Sequence, residues 1–571
     1  MRQQILLFIP LFLSVAAFGN DNTCARQIRA QEMLIEFLKG TAIHASADPE
    51  AALDQQTVED LELPLLATAL GKHALTSLGR ARLGWQLRNP LVDARQVRAR
   101  QATLRELLEN RELRARLEGF LGAYADYENR TRKWENWVRE NLKWLGVEFT
   151  PRPTMAYFQQ LAQQEASGPI QKLHRWANYL LPVFVPLLLV ETLGFDPGLK
   201  SFIAASFIGY NRSRQAGYRG ILVQFKAFLR AAERLESALA KSQSEDLRSL
   251  SSVLSAVRDA NHPQTIRSEA RFIKKLMTWG PAKWVSDLFF LSNFTLLRKM
   301  DALKAKLDRF ARVASAIAEL DAYLALARAH EAFPGLVFPE ILDSEEGQVK
   351  VSIEEGHHPY LFFNQESSVV NSVGLSNLPS DSGAARVLFL TGPNGRGKTT
   401  YLRMIGLQTL LAQIGMSVPA RAMQLTPLRL LTSLKTSDSI VDKESTFRAE
   451  VRRLAQLIGR AQSVPRSLLL LDELVAGTSL GEQVATERAA IEHFSQKGWL
   501  AILASHKRAL SKLEGQLPGF TNVHASDEDA TRYQIEPGPS QRYNALEVLK
   551  AQNLPESVLV PARNALERMG Q

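Results

Sequence analysis

One short segment in the second half of the chain has the residue types and the spacing that bind phosphate. Residues 392–399 read Gly-Pro-Asn-Gly-Arg-Gly-Lys-Thr and fit the pattern G-x-x-x-x-G-K-[ST] in full. They follow the apolar run 387–390 and precede a helical pattern. In such a loop, backbone N–H groups and the helix dipole surround phosphate oxygens, and Lys398 adds a charge for the β- and γ-phosphates of ATP. The predicted nucleotide-binding residues are Gly392, Pro393, Asn394, Gly395, Arg396, Gly397, Lys398, Thr399 and Thr400.

A second segment, SLLLLDELVAGTS, places two carboxylates directly after four leucines. The leucines predict a buried strand, and Asp472 and Glu473 stand at its C-terminal end, where open α/β sheets bind ligands. Asp472 would hold Mg²⁺, directly or through water, and the Thr399 hydroxyl would reach the same ion. Glu473 would polarise the attacking water as a general base. Together these residues predict hydrolysis of ATP.

A third segment, LAILASH, is another apolar run that ends in polar residues. Its last residue, His506, could sense the γ-phosphate, because an imidazole can hydrogen-bond to a phosphate oxygen or to water. From the residues alone, a structural histidine explains this position equally well.

The elements around these segments change character near residues 335–345. After Pro334, β-rich runs such as QVKVSI and RVLFLTG alternate with helical stretches, which indicates an α/β domain with a largely parallel sheet. From about Gln27 to His330, apolar residues recur at three- and four-residue spacing, which predicts long amphipathic helices that serve as levers or form a plain bundle. We therefore expect an α + α/β chain, with a helical domain over 25–335 and a P-loop α/β domain over 340–571.

Two apolar segments stand out in the first half of the chain. Residues 5–18 follow the basic Arg2, and a small-x-small sequence ends the run, so that residues 1–22 match a secretory signal or an anchor. Residues 178–210 contain two apolar halves of roughly 12 to 15 residues, shorter than the ~20 residues that span a bilayer. This second segment predicts either buried core helices or a hairpin that dips into a membrane.

The composition is that of an ordinary globular protein. Hydrophobic residues make up 45% of the 571 residues and charged residues 22%, which excludes a disordered chain. A net charge of +10 favours an acidic partner such as nucleic acid or an anionic membrane, or reflects only a basic protein. The one cysteine, Cys24, excludes an intramolecular disulfide and a cysteine-based metal site.

These segments, in this order, resemble the MutS family, the DNA mismatch-repair ATPases of the ABC-like class. TGPNGRGKTTYLRMIGLQTLLAQIGMSVPA is similar to the family's phosphate loop and following helix, and DKESTFRAEVRRL to its Ser-Thr-Phe-x-x-Glu segment. LLLLDELVAGTS resembles its Asp-Glu-x-x-x-Gly-Thr-Ser, and ASH stands where the family has a switch histidine. Residues 78–108 are similar to the start of the family's lever domain. The resemblance covers about residues 60–125 and 310–571.

The resemblance implies a homodimer with composite ATP sites and DNA as the partner. Ser445 and Thr446 would approach the γ-phosphate bound by the partner subunit. Gly477, Thr478 and Ser479 would lie at the dimer contact. His506 would be a functional histidine, and ATP with Mg²⁺ would be the cofactors.

The sequence also departs from the family pattern. Arg396 takes a place where the family usually has glycine, which adds a cation beside the phosphates and could alter turnover. Because the lever-like segment begins by about residue 60, we expect neither the family's mismatch reader nor its connector, and we expect no nuclease tail after the ATPase. The apolar residues 178–210 are also foreign to the repair enzymes.

Two functions follow as hypotheses. The first is an ATP-driven dimeric clamp on DNA that lacks mismatch recognition. The second is a membrane-tethered mechanochemical ATPase that acts on protein or lipid through residues 5–18 and 178–210. A non-hydrolytic relic is disfavoured because the residues that such chemistry needs are all present: Lys398, Thr399, Asp472 and Glu473.

The N-terminal run conflicts with an ATP site. It allows a cleaved signal, an uncleaved inner-membrane anchor, or a later start such as Met33. We favour the last two, with the ATPase domain in the cytoplasm, because the chain must meet ATP.

Overall fold

The computed structural model describes residues 52–143, 228, 230–255, 307–343, 347–381, 384–393, 395–434, 446–464, 466–526, 533–540 and 555–569. These residues form two compact units. Of the described chain, the first unit contains residues 74–82, 110–143, 228, 230–255 and 307–322, and the second contains residues 52–73, 83–109 and those from 323 onward. Residues 1–22 and 178–210, which carried the membrane predictions, lie outside the described residues, and the domain boundaries expected from the sequence stay predictions.

The helices are α1 Gln55–Asp60, α2 Leu63–Gly71, α3 Ser77–Arg88, α4 Ala94–Glu109, α5 Arg111–Lys143, α6 Glu245–Ser255, α7 Leu307–Ala332, α8 Pro359–Phe363, α9 Lys398–Gln413, α10 Thr446–Ser463, α11 Leu480–Lys497 and α12 Glu556–Met569. The strands are β1 Leu336–Val337, β2 Glu340–Ile341, β3 Lys350–Gly356, β4 Asn371–Ser376, β5 Val387–Thr391, β6 Val418–Pro419, β7 Ala422–Leu425, β8 Arg429–Ser433, β9 Ser467–Asp472, β10 Leu500–Ala504, β11 Phe520–Ala525 and β12 Ile535–Pro537. A 3₁₀ helix follows β10 over Arg508–Leu513.

The first unit is helical throughout its described part. Helix α5 buries Leu117 and Leu121, one turn apart, and the ring of Tyr124 lies 6.0 Å from that of Phe228 in an edge-on contact. The Asp321 carboxylate of α7 accepts hydrogen bonds from the backbone N–H (2.7 Å) and the hydroxyl (2.6 Å) of Thr76, directly before α3. These contacts join the start of α3 to α7 within the unit.

The second unit is built on a six-stranded sheet with the order β12-β11-β5-β10-β9-β8. The strands β11, β5, β10, β9 and β8 run parallel, and only β12 pairs antiparallel. Leu468 to Leu471 of β9 are completely buried, as expected of a central parallel strand covered on both faces. The sheet therefore explains why this segment is continuously apolar rather than alternating.

Helices cover the two faces of this sheet. Leu469 and Leu471 belong to one apolar cluster with Leu457 of α10 and Phe494 of α11. On the opposite face α9 approaches closely at Gly406, where a Cβ atom would lie 3.2 Å from Leu470 Cδ1. Because both faces are packed against helices, the positions of the strand ends, which carry the polar residues of the candidate site, are fixed.

Two smaller sheets complete the second unit. One contains four strands in the order β2-β7-β3-β4, and the other pairs β1 with β6 in antiparallel fashion. In the four-stranded sheet, β3 pairs antiparallel with both β4 and β7.

A short N-terminal segment, residues 54–62, packs on the α/β elements of the same unit; we call it the clasp. Asp60, completely buried, accepts hydrogen bonds from the Thr432 hydroxyl (2.7 Å) and from the backbone N–H of Leu434 (2.9 Å). Asp54 caps α1 and forms ion pairs with Arg453 (2.8 Å) and Arg460 (2.7 Å) of α10. The clasp therefore contacts both β8 and α10, although these elements lie much later in the chain.

The architecture confirms the expected combination of helical structure and an α/β sheet. All regular elements described between residues 55 and 332 are helices, and the strands that the structure describes begin at Leu336. None of the described helices combines the length and the apolar character needed to cross a membrane.

Candidate functional site

The candidate site lies at the C-terminal ends of three adjacent parallel strands. Ala504 of β10 is in register with Leu390 of β5 on one side and with Asp472 of β9 on the other. Because the three strands end at the same edge, the residues that follow them meet in space. These are the loop after β5, Glu473 after β9 and His506 after β10.

The loop between β5 and α9 has the backbone that a phosphate loop requires. Gly392 has a φ of 135°, and a Cβ atom there would lie 3.0 Å from the Ala525 Cβ. Gly397, with a φ of 81°, is the N-cap of α9, and no side chain caps this helix. The N-terminal N–H groups of α9 are therefore directed at the loop without a side-chain acceptor, a geometry suited to an anion.

Lys398 is buried at the base of this loop. Its Nζ donates hydrogen bonds to the carbonyl oxygens of Gly392 (2.9 Å) and Pro393 (3.0 Å), and it lies 3.2 Å from His506 Nε2. Burial lowers the pKa of the Lys398 ammonium, while the charges of Asp472 and Glu473 oppose that shift. A phosphate chain in the loop would supply the charge partner that favours the ammonium.

Thr399 and Asp472 form the group suited to Mg²⁺. The Thr399 hydroxyl donates to Asp472 Oδ2 over 2.5 Å. Burial raises the pKa of Asp472, and the hydrogen bond from Thr399 and the charge of Lys398 oppose this rise. In the described part of the chain, no three His, Cys, Asp or Glu side chains lie together in a way that could hold a metal ion. Two hard oxygens fit Mg²⁺ at a nucleotide, because the ion takes its other ligands from phosphates and water.

Glu473 and His506 face each other across the ends of β9 and β10. Glu473 has a φ of 48°, rare for a non-glycine residue, and its backbone N–H donates to the Ala504 carbonyl over 2.9 Å. Its Oε1 lies 3.3 Å from His506 Nε2, and its side chain is 45% exposed. Burial, together with the charge of Lys398, lowers the pKa of His506, so the imidazole is neutral at pH 7. An exposed carboxylate beside a neutral imidazole can orient a water molecule and accept its proton.

The predicted dimer-contact residues lie in the loop after β9. The Glu450 carboxylate accepts hydrogen bonds from the backbone N–H groups of Ala476 and Gly477, both over 3.0 Å. A Cβ atom at Gly477 would lie 2.7 Å from the Phe447 nitrogen, so the loop depends on glycine there. The hydroxyl of Ser479 donates to Glu482 (2.6 Å) in a capping box at the start of α11, and the Thr478 hydroxyl contacts the same carboxylate.

The remaining predicted residues are placed as follows. Among the described residues, the buried Nη1 atom of Arg396 has no hydrogen-bond partner, and Thr400 is exposed on α9. Asn394 and Ser445 lie outside the described residues, and Thr446 is the first residue of α10. The structure thus brings together Lys398, Thr399, Asp472, Glu473 and His506.

Sequence reasoning missed two residues beside the site. Glu450 is the glutamate of the Ser-Thr-Phe-x-x-Glu segment, so this motif could have marked it as a functional residue. The motif does not show that Glu450 accepts hydrogen bonds from the loop after β9. The ring of Tyr533 packs on Gly397, with Cδ1 3.2 Å from the position of a Cβ atom there. Tyr533 is 46% exposed, and no sequence motif around it predicts contact with the phosphate loop.

Comparisons with known proteins agree with this geometry. The family model described as MutS domain V matches residues 388–570. The DNA mismatch repair protein MutS of Synechococcus sp. (strain JA-2-3B'a(2-13)) is 30% identical over 530 residues, which cover 86% of this chain and 57% of the relative. The chain belongs to the MutS family.

Other MutS-family relatives give the same result. The DNA mismatch repair protein MutS of Synechococcus elongatus is 27% identical over 556 residues, or 90% of this chain and 61% of the relative. The DNA mismatch repair protein msh3 of Aspergillus fumigatus is 32% identical over 338 residues, or 52% of this chain and 29% of the relative. The chain spans about three fifths of the length of the two Synechococcus relatives. The MutS domain V range contains every residue of the site described above.

Proposed function

We propose that this MutS-family chain binds ATP with Mg²⁺ and hydrolyses it to ADP and phosphate. The observation that carries the proposal is the joining of Lys398, Thr399 and Asp472 with Glu473 and His506 at one sheet edge, through contacts of 2.5 to 3.3 Å. Each residue type answers a separate requirement of phosphoryl transfer: phosphate charge, metal ligands, water and a hydrogen bond to the reacting centre.

In the proposed reaction, Lys398 and the N-terminal N–H groups of α9 bind the phosphate chain. Glu473 accepts a proton from a water molecule whose oxygen bonds to the γ-phosphorus, while the bond from that phosphorus to the bridging oxygen breaks. Mg²⁺ held by Thr399 and Asp472 would neutralise the charge that develops on the phosphate oxygens. His506, as a neutral imidazole, hydrogen-bonds to the γ-phosphate or to the water.

The proposal extends to a dimeric clamp on DNA. Net charge of +10 and family membership support DNA as the partner, and the helical unit would act as the lever that transmits closure. Ser445, Thr446 and the loop 477–479 would reach the nucleotide bound by the partner subunit. Mismatch specificity is not part of the proposal.

The ATPase test begins with the full-length chain and two variants. We expect Lys398→Ala to abolish ATP binding, because the phosphate chain loses its buried cation. We expect Glu473→Ala to bind ATP normally and to stop turnover, because only the proton acceptor is lost. Binding of a labelled nucleotide and release of phosphate measure the two steps separately.

The matched control is Lys497→Ala, which removes an exposed lysine from the last turn of α11. It should bind and hydrolyse ATP as the unaltered chain does. Normal hydrolysis by Glu473→Ala would remove the general base from the proposal, and absence of hydrolysis by the unaltered chain would refute the proposed activity.

The DNA test is a titration against salt concentration. Displacement of counterions from phosphates predicts an affinity that falls steeply as salt rises. Duplex and branched DNA should be compared in the presence and absence of ATP. Absence of binding at low salt would refute the clamp and leave the ATPase proposal standing.

The membrane-tethered alternative depends on residues 5–18 and 178–210, which lie outside the described residues, and no contact in the described structure favours it. We propose that the ATPase unit is cytoplasmic, because its site requires ATP. Two reporter fusions after Gln571 test this placement: one reporter is active only in the cytosol and the other only outside it. Activity of the second reporter alone would contradict a cytoplasmic ATPase unit.

A further inference from the structure

A buried ion pair includes Lys507, the residue that follows His506 in the chain. The ammonium of Lys507 is 2.7 Å from Glu487 Oε1 of α11, and the two side chains are 7% and 0% exposed. The second carboxylate oxygen of Glu487 accepts a hydrogen bond from the Ser505 hydroxyl over 2.8 Å. Both chain neighbours of His506 are therefore tied to one carboxylate.

The same lysine reaches the loop that follows β9. Its Nζ donates a second hydrogen bond to the carbonyl oxygen of Val475 over 3.0 Å. Val475 lies two residues after Glu473 and two residues before Gly477. One ammonium thus joins α11, the end of β10 and the loop that carries both the proposed base and the proposed dimer contact.

Backbone hydrogen bonds also connect the ends of β5, β9 and β10 beside the Lys507–Glu487 pair. Glu473 donates its N–H to the Ala504 carbonyl over 2.9 Å, and Ser505 donates its N–H to the Leu390 carbonyl over 3.0 Å. A shift of the loop at Val475 would therefore pull on Lys507, which adjoins His506 in the chain. The charges of Lys398, Glu473 and Lys507 all act on the His506 imidazole.

Stability alone is a weak reason for such a pair. Burial of two charges costs free energy, and well-packed apolar residues of similar volume are often as stable or more stable. Burial raises the pKa of Glu487, and the hydrogen bond and charge of Lys507 oppose this rise. A charge pair does provide directed hydrogen bonds, which an apolar pair cannot make to Val475 and Ser505.

We propose that Lys507 and Glu487 are positioning residues, which hold the His506 imidazole and the loop 473–479 in one arrangement so that movement of the loop is transmitted to the γ-phosphate side of the site. The inference rests on the proposed ATPase function. Neither residue contacts the reacting atoms; each acts through His506 and the loop.

The test compares the full-length chain with Lys507→Met/Glu487→Met, which replaces the pair by two apolar side chains. We expect a folded protein with Kd and KM for ATP within about twofold of the unaltered chain. We expect kcat to fall by about ten- to hundredfold, by analogy with the loss found when residues that support the ligands of a metal site are replaced. The matched control is Arg488→Met/Glu492→Met, which removes an exposed ion pair of 2.8 Å from the same helix and should leave kcat unchanged.

Glu487→Gln keeps the test decisive if the double variant does not fold. It preserves the size of the side chain but keeps only one of the two acceptor oxygens that Lys507 and Ser505 use, so it should fold with kcat lowered by about a few-fold. Unchanged kcat in the folded double variant, or in Glu487→Gln if the double variant does not fold, would show that the pair only fills space and would overturn the inference.

Failure of the inference differs from failure of the proposed function. If the unaltered chain does not hydrolyse ATP, or if Glu473→Ala hydrolyses it normally, the proposed function fails and the inference fails with it. If the unaltered chain hydrolyses ATP, Glu473→Ala does not, and the altered pair matches the Arg488→Met/Glu492→Met control, only the positioning role fails.

Discussion

The strand-end site and the N-terminal clasp both collect charged residues in the same unit, but they use them differently. In the site, Glu473 is 45% exposed, and Lys398 donates hydrogen bonds to two carbonyl oxygens of its own loop. In the clasp, the buried Asp60 carboxylate bonds both Thr432 and Leu434 on β8 and the loop that follows it. In the proposed site the polar groups can still bind a ligand, whereas in the clasp they form contacts that stabilise the fold. Substitutions should therefore separate activity from stability.

The largest effect is expected for Asp472→Asn. Loss of the charge should lower ATP turnover by at least about a hundredfold and raise the Mg²⁺ concentration needed for activity, because the proposed Mg²⁺ ligand is weakened. The melting temperature should stay equal or rise, since burial already disfavours the Asp472 carboxylate, as its raised pKa reflects. Phosphate release at varied Mg²⁺ and thermal unfolding measure the two properties. A lowered melting temperature would show that the Asp472 carboxylate stabilises the fold, and would contradict the contrast between the site and the clasp.

Asp60→Ala should give the opposite pattern. The Thr432 hydroxyl and the Leu434 N–H would remain buried without their acceptor, at about 1–3 kcal/mol for each unsatisfied group. We expect a total loss of about 3 kcal/mol in the free energy of unfolding, with nearly normal turnover per folded molecule. Denaturant unfolding with an activity assay on the folded fraction tests this. Lost turnover in a fully folded variant would mean that the clasp also controls the site.

Asp54→Asn should have a smaller and pH-dependent effect. Burial acts to raise the pKa of Asp54, but Arg453 and the α1 backbone lower it overall. A carboxylate with a lowered pKa contributes stability above its unfolded pKa of about 3.9, and this contribution is lost as the pH falls through the folded value. We expect a loss of about 1 kcal/mol at pH 7 that shrinks below pH 4, since asparagine keeps the helix cap. Unfolding curves at several pH values measure the difference, and a loss of stability that does not shrink as the pH falls below 4 would contradict this cause.

The smallest effect is expected for Arg488→Ala on the exposed face of α11. Its ion pair with Glu492, four residues on, should be worth less than about 0.5 kcal/mol. Turnover and Kd for ATP should not change. A larger effect on either property would show that exposed charges on α11 also support the site, and would weaken the contrast between fold-stabilising and ligand-binding groups.

Local patterns predicted the strands and the helix that carry the candidate site residues. The loop 392–399 lies between a strand and a helix, as its sequence indicates, and the leucines before Asp472 form a buried strand. His506 was ambiguous from its own segment, because a single histidine after an apolar run has no unique meaning. Its distance of 3.3 Å to Glu473 comes from strand register, which the segment does not encode.

The long-range polar contacts could not be predicted in the same way. Lys507 and Glu487 are 20 residues apart and belong to different elements, and nothing in either segment distinguishes them from exposed charges. The same holds for Asp54 and Arg453, which are 399 residues apart. Charged residues are normally exposed, so their burial follows only from how helices and strands pack.

The sequence by itself indicated the candidate chemistry: which residues have the types and spacing suited to binding phosphate, holding a metal and accepting a proton, and which runs form strands and helices. These properties depend on residue type and on spacing over a few positions. The tertiary structure alone decided that the ends of β5, β9 and β10 meet, that Glu450 and Lys507 bind the loop after β9, and that residues 54–62 fasten β8 to α10. Those outcomes depend on strand order and on the burial of both faces of the sheet, which arise only when the distant segments pack together.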